Sequence, residues 1–209
     1  MDQPLLSPEQ VSWGTEPAER ADAARNRRLL LATAREMLAA DGADKLTMDG
    51  LAEQAGLGKG TVFRRFGTRA GIFRALLDDA ERSFQELVLT GPPPLGPGAP
   101  PLDRLVAYGR ARIGFLIERR DIARATLDGS EPIPAGSRTP LSQLHIRVLL
   151  GQMDIGPADL DMLAVQLSAA LDGPLLLYLS ADELAEPVPR TAERIARAWH
   201  DLIRRACRP

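Results

Sequence analysis

Three observations predict an all-α protein of two parts. No stretch alternates Val, Ile or Thr with polar residues in the two-residue period of a half-buried strand. Apolar residues instead recur at i, i+3, i+4 and i+7 in one segment after another. Alanine, leucine and arginine are abundant while aromatics make up only 4% of the 209 residues, a length that buries a real core in one or two domains.

Residues 1–20 carry four acidic groups and read as a mobile arm. Ala23–Ala40 is expected to form one helix, with Leu30, Ala34, Met37 and Leu38 on one face and Asp41-Gly42 at its end. Its start carries Arg25, Arg27 and Arg28.

The most specific chemistry lies in KLTMDGLAEQAGLGKGTVFRRFGTRAGIFR, residues 45–74. Met48, Leu51, Ala52 and Ala55 share one short helical face, and the Thr47 hydroxyl is placed to accept an unpaired amide of the first turn. Gly56 stands where a helix commonly ends in a left-handed residue, and Leu57 plugs the turn. A second helix restarts near Lys59 and sends Val62 and Phe66 inward, so Thr61, Phe63, Arg64 and Arg65 project outward. Gly60, lacking a side chain, lets the helix approach a phosphate or base edge. Two helices so joined, the second cationic, form a helix-turn-helix suited to a DNA groove. Arg64 has the bidentate fork that reads guanine O6 and N7. Arg65 and Arg69 suit phosphates, which fix register without reading sequence. Thr68 is a further N-cap, opening a helix with Ile72, Phe73, Leu76 and Leu77.

The run RRLLLATAREMLAADG, followed by LTMDGLAEQAGLGKGTVFRRFGTRAGIFRALL, resembles the N-terminal domain of the TetR family of one-component transcriptional regulators, contiguous and correctly spaced from Arg27 to Leu77. The resemblance implies DNA contacts by Arg27, Arg28, Thr47, Lys59, Gly60, Thr61, Phe63, Arg64, Arg65 and Arg69. It also implies a homodimer, an effector site in the C-terminal half and, most often in such a family, repression. Three positions depart from the family pattern. Phe63 replaces a tyrosine that bonds a phosphate, Gly58 replaces a capping serine, and Arg69 replaces a lysine with its charge kept. The first two lower the expected affinity modestly.

The net charge of −2 is unevenly spread. Residues 20–75 hold eleven Lys and Arg against six Asp and Glu, a net of +5, which leaves −7 on the rest of the chain. Positive charge thus collects where phosphates would lie. Cys207 is the only cysteine, so no internal disulfide is possible. His145 and His200 are far apart, HExxH and CxxC spacings are missing, and no Gly-rich phosphate loop follows a strand, so no enzyme, metal site or cofactor is expected. The N-terminus lacks the basic and apolar pattern of a signal peptide, and no apolar run approaches a membrane-spanning length. A cytoplasmic location with no membrane partner is the expectation.

The expected domains are the arm (1–20), a three-helix helix-turn-helix domain (21–75) and a helical effector-binding and dimerisation domain (76–209). GPPPLGPGAPP, residues 91–101, can be neither helix nor strand and serves as a connector. Helices are expected at Leu102–Glu118, Asp121–Leu127, Leu141–Met153, Pro157 to about Ser180 and Pro189–Cys207, with a loop at 128–140 and a kink or break at Pro174. Leu163, Leu167, Leu171, Leu175 and Leu176 mark a helix that must bury much of itself. The last helix shows Ile195, Trp199, Leu202 and Ala206 in helical spacing.

The family likeness implies that these two helices pair with their copies, with Leu163, Leu167, Leu171, Ile195, Trp199 and Leu202 in the interface. Two recognition helices about one DNA turn apart, roughly 34 Å, read an inverted repeat, so a palindromic double-stranded operator is the expected partner. Candidates for the effector pocket are Tyr108, Arg112, Phe115, Met153, Met162 and Gln166, with His145 a ligand contact, a pH sensor or a surface residue. An apolar lining with few polar groups points to a hydrophobic or amphipathic effector.

Overall fold

The computed structural model describes residues 17–125, 140–179 and 188–207. Among them every regular element is helical: α1 (Pro17–Asp41), a short 3₁₀ turn (Ala43–Lys45), α2 (Met48–Gln54), α3 (Lys59–Phe66), α4 (Arg69–Thr90), α5 (Pro101–Glu118), α6 (Arg120–Ala125), α7 (Pro140–Leu150), α8 (Leu160–Leu179) and α9 (Val188–Ala206). The all-α expectation holds.

The chain divides into two compact units, one ending at Gly67 and one beginning at Thr68. The boundary therefore falls at the turn after α3 rather than between residues 75 and 76. The reason is local: Gly67 stops α3, and α4 then runs unbroken through the expected boundary. Residues 17–20 of the expected arm belong to α1, and residues 1–16 lie outside the described residues.

In the first unit Leu30, Leu31, Ala34 and Met37 of α1 are buried, as are Leu46, Leu51, Ala52 and Val62. α2 packs on α1 and α3. A Cβ on Gly50 would come 3.4 Å from Met37 Cε, so α2 lies close on α1.

In the second unit α5 is central and packs against α6, α7, α8 and α9. The core gathers Leu105, Tyr108, Ile113, Ile146, Leu149, Leu150, Leu167, Leu171, Trp199 and Ile203, among others. α5 and α9 meet closely at Gly109: a Cβ there would lie 1.9 Å from Trp199 Nε1, which donates to the Leu105 carbonyl at 3.2 Å. Only glycine admits the indole at that distance.

Several boundaries differ from the sequence expectation. α7 stops at Leu150 instead of Met153, because Gly151, Gln152 and Met153 donate back to Arg147, Leu149 and Leu150 in closing turns. α8 begins at Leu160, where the Asp159 carboxylate accepts the Met162 amide at 3.0 Å; Pro157 thus precedes the helix instead of opening it. α8 continues through Pro174 to Leu179, without the expected break. The loop at 128–139 and the side chains of Leu175 and Leu176 lie outside the described residues.

Candidate nucleic-acid interface

The helix-turn-helix is built by three local devices. Thr47 Oγ1 accepts the Gly50 amide at 3.0 Å and caps α2. Gly56, with φ of +65°, then reverses the chain while Gly56 N–H bonds to Glu53 O and Leu57 N–H to Ala52 O. That pair of bonds is a Schellman ending, which needs the left-handed residue at its centre. α3 restarts after Gly58, which offers no side-chain cap, and the Thr61 and Val62 amides both reach the Gly58 carbonyl. Val62 is fully buried and anchors α3, a contribution of about 1.5–3 kcal/mol.

What α3 leaves outside is the site. Lys59, Gly60, Phe63, Arg64 and Arg65 are exposed, Phe63 to 64%, and Thr61 is half-buried. The Arg64 guanidinium lies 3.4 Å from Thr61 Oγ1 on the same helix. Lys59 Nζ pairs with Asp49 of α2 at 2.8 Å on the open surface. Such an exposed pair is worth little and exchanges readily for a phosphate. Arg65 has another engagement: its Nη2 donates to the Ala23 carbonyl of α1 at 2.9 Å, tying the third helix to the first. On α1, Arg28 is exposed and Arg27 half-buried. Arg69 opens α4 in the second unit and holds its guanidinium 5.0 Å from the Phe73 ring centre; Thr68 caps that helix by accepting the Gly71 amide.

The second unit contains a cavity of about 180 Å³. α4 contributes Glu81, Phe84, Gln85, Val88 and Leu89 to its wall, α5 contributes Tyr108, and α7 contributes Leu141, Ser142, Leu144, His145 and Val148. Of the six residues expected there, only Tyr108 lines it. Arg112 is buried beside it, paired with Glu81 at 2.5 Å, its guanidinium 5.7 Å from the ring centre of Phe84 and 5.1 Å from that of Phe115. Phe115 sits behind Phe84, with ring centres 5.1 Å apart. Met153 packs against the core away from the cavity, and Met162 and Gln166 are exposed on α8. Spacing along α8 could not show which of its faces turns outward. The contribution of α4 was missed because Phe84 and Val88 look like ordinary core spacing.

His145 is half-buried with its ring centre 5.0 Å from that of Tyr108. Burial, aided by the Arg104 charge, pushes its pKa down to about 4. Burial raises that of Tyr108.

The expected interface residues divide. Leu167, Leu171 and Trp199 are buried within the chain itself, Trp199 against α5. They are apolar because the single chain's own core needs them. Leu163 and Ile195 are partly buried at the edge of that core, and Leu202 is exposed. Met162 and Val165, not expected, are exposed apolar residues of α8. Among the described residues no helix is long and apolar enough to cross a membrane, and no group of His, Cys, Asp and Glu is placed to hold a metal ion.

In its described residues the chain thus consists of a three-helix helix-turn-helix unit and a helical unit that carries a partly open apolar pocket. Residues 30–76 match the family of bacterial regulatory proteins of the tetR type. The chain is 39% identical over 59 residues to the DNA-binding transcriptional repressor TetR of Mycobacteroides abscessus, a stretch covering 28% of this chain and 31% of that relative. In fold it is similar to a TetR-family transcriptional regulator of Pectobacterium atrosepticum, at a TM-score of 0.68 and 21% identity over 91% of this chain and 98% of that one. A regulator of the TetR/AcrR family from Thermobifida fusca aligns at a TM-score of 0.55 and 15% identity, over 85% and 97%. Residues 30–76 are thus of the tetR type, and the match spans about a third of the length of the curated relative.

Proposed function

We propose that the chain is a homodimeric, sequence-specific DNA-binding transcriptional regulator, a repressor released from an inverted-repeat operator by a small, largely apolar effector. One observation carries the reading: α3, anchored by buried Val62, presents Lys59, Thr61, Phe63 and Arg64 on its outer side. Arg64 supplies base readout, while Lys59, Arg28 and Arg69 supply phosphate contacts. Phe63 offers apolar contact where a hydroxyl would have met phosphate.

The cavity supports the second half of the reading. α4 lines it with five side chains and is one continuous helix back to Arg69, three residues beyond the end of α3. An effector that binds one position of α4 better than another shifts the population of DNA-competent dimers by that difference in affinity. Exposed Met162, Val165 and Leu202 supply apolar surface for pairing α8 and α9 with their copies.

Binding-site selection from genomic DNA with the purified chain tests the proposal. The expected product is an inverted repeat with half-sites about one helical turn apart, or somewhat more. Enrichment of no sequence, with strongly salt-dependent binding to all duplexes, contradicts it and leaves a sequence-blind binder.

A further inference from the structure

α3 has only 8 residues, too few to hold a helix without packing. It packs on α2, and α2 in turn packs on α1. Val62 is the buried anchor, with Phe66 half-buried one turn further on. A short rod held along one neighbour can rock about that line of contact, and rocking swings its outer face. Arg65 supplies a support off that line. It stands next to last in α3, and its Nη2 donates to the Ala23 carbonyl of α1 at 2.9 Å. The donor is charged, which makes the bond stronger than one between neutral groups. The acceptor is main chain within a helix of 25 residues, a fixed point and not a mobile side chain.

We propose that Arg65 is a positioning residue. It braces the C-terminal end of α3 against α1, sets the angle at which Lys59, Thr61 and Arg64 meet a groove, and carries no phosphate or base contact itself; that α3 enters DNA rests on the reading above. An arginine at this place suits a phosphate equally well by residue type, and geometry separates the two roles. The Arg65 guanidinium is engaged on α1, whereas that of Arg64 lies along its own helix, 3.4 Å from Thr61 Oγ1. The roles also differ in what they act on. A phosphate contact strengthens binding to every duplex and adds to the salt dependence. A brace acts through the side chains it aims, so it matters most where bases are read.

Fluorescence anisotropy of the full chain, Arg65→Ala and Arg65→Lys on the selected duplex and on a random duplex, at several salt concentrations, tests this. Arg65→Ala is expected to weaken the selected duplex about tenfold, to leave the random duplex within about twofold and to keep the salt slope. Arg65→Lys keeps the charge, but its ammonium stops one atom short of Nη2, and it is expected to stay about as weak. A salt slope reduced by about 0.9 for each half-site, equal loss on both duplexes, or full affinity restored by lysine makes Arg65 a phosphate ligand and overturns the proposal. Unchanged binding by Arg65→Ala overturns it too, and Arg65→Lys decides if the alanine variant folds poorly. Hydrogen exchange of the DNA-free protein needs no operator: amides of residues 59–66 are expected to exchange about tenfold faster in both variants, with α5 unchanged. Unchanged exchange in α3 overturns the brace. If the unaltered chain selects no sequence while α3 loosens as expected, the brace stands and the DNA-reading proposal fails.

Discussion

Arg64 and Arg65 are neighbours in sequence with different employment. Arg64 turns outward and reaches Thr61 of its own helix, whereas Arg65 donates to the Ala23 carbonyl of α1. The pattern of α3 showed which residues face outward, because Val62 and Phe66 fix the helix's rotation. It could not show that Arg65 meets a carbonyl 42 residues earlier, since no local spacing encodes that contact. His145 was equally hidden: a lone histidine in helical spacing carries no sign of Tyr108 beside it. Its depressed pKa has a consequence for stability. Unfolded His145 takes a proton near pH 6.5, whereas the folded residue resists until about pH 4. The stabilisation from the neutral, buried ring is therefore complete above pH 6.5 and is lost as the pH falls toward 4. His145→Gln is expected to flatten the fall of Tm across that window, as followed by circular dichroism; an unchanged slope would show that the ring titrates normally.

Among the elements, the α5–α9 contact is the most tightly specified. Gly109 and Gly114 lie on the same helix in opposite circumstances. A Cβ at Gly109 meets the Trp199 indole, while one at Gly114 meets nothing within 4 Å. Gly109→Ala is expected to destabilise by about 1–3 kcal/mol or more through overpacking, with loss of the Trp199–Leu105 hydrogen bond. Gly114→Ala is expected to stabilise by about 0.5–1 kcal/mol, from helix preference alone. Urea unfolding of both variants checks the pair; equal effects would mean that Trp199 moves aside freely. Trp199 itself illustrates what the sequence conceals. Its period matched an outward seam as well as a core, and only Gly109, ninety residues away, decides between them. Helix ends were more legible where a cap was chemical, as at Thr47, Gly56 and Thr68, than where it depended on a turn, as after Leu150.

For the whole molecule, the two-part, all-helical plan was readable because apolar period and charge division both survive without tertiary context. Which faces remain outside was not, since that depends on what each helix covers. The exposed apolar residues Met162, Val165 and Leu202 carry the expectation of a dimer. Sedimentation of the purified chain is expected to give twice the chain mass of 22.6 kDa, and the double variant Met162→Asp, Val165→Asp to shift it toward the monomer. A monomer at micromolar concentration for the unaltered chain would remove the basis for an inverted repeat. The central claim, that α3 reads base edges, is tested most directly by fluorescence anisotropy of the unaltered chain, Arg64→Ala and Arg69→Ala on the selected duplex and on point-substituted duplexes. Arg64→Ala is expected to cost about 1–3 kcal/mol and to erase preference at one base position in each half-site, while Arg69→Ala weakens all duplexes alike and flattens the salt dependence. Sequence preference untouched by Arg64→Ala but altered by Arg69→Ala would contradict the account.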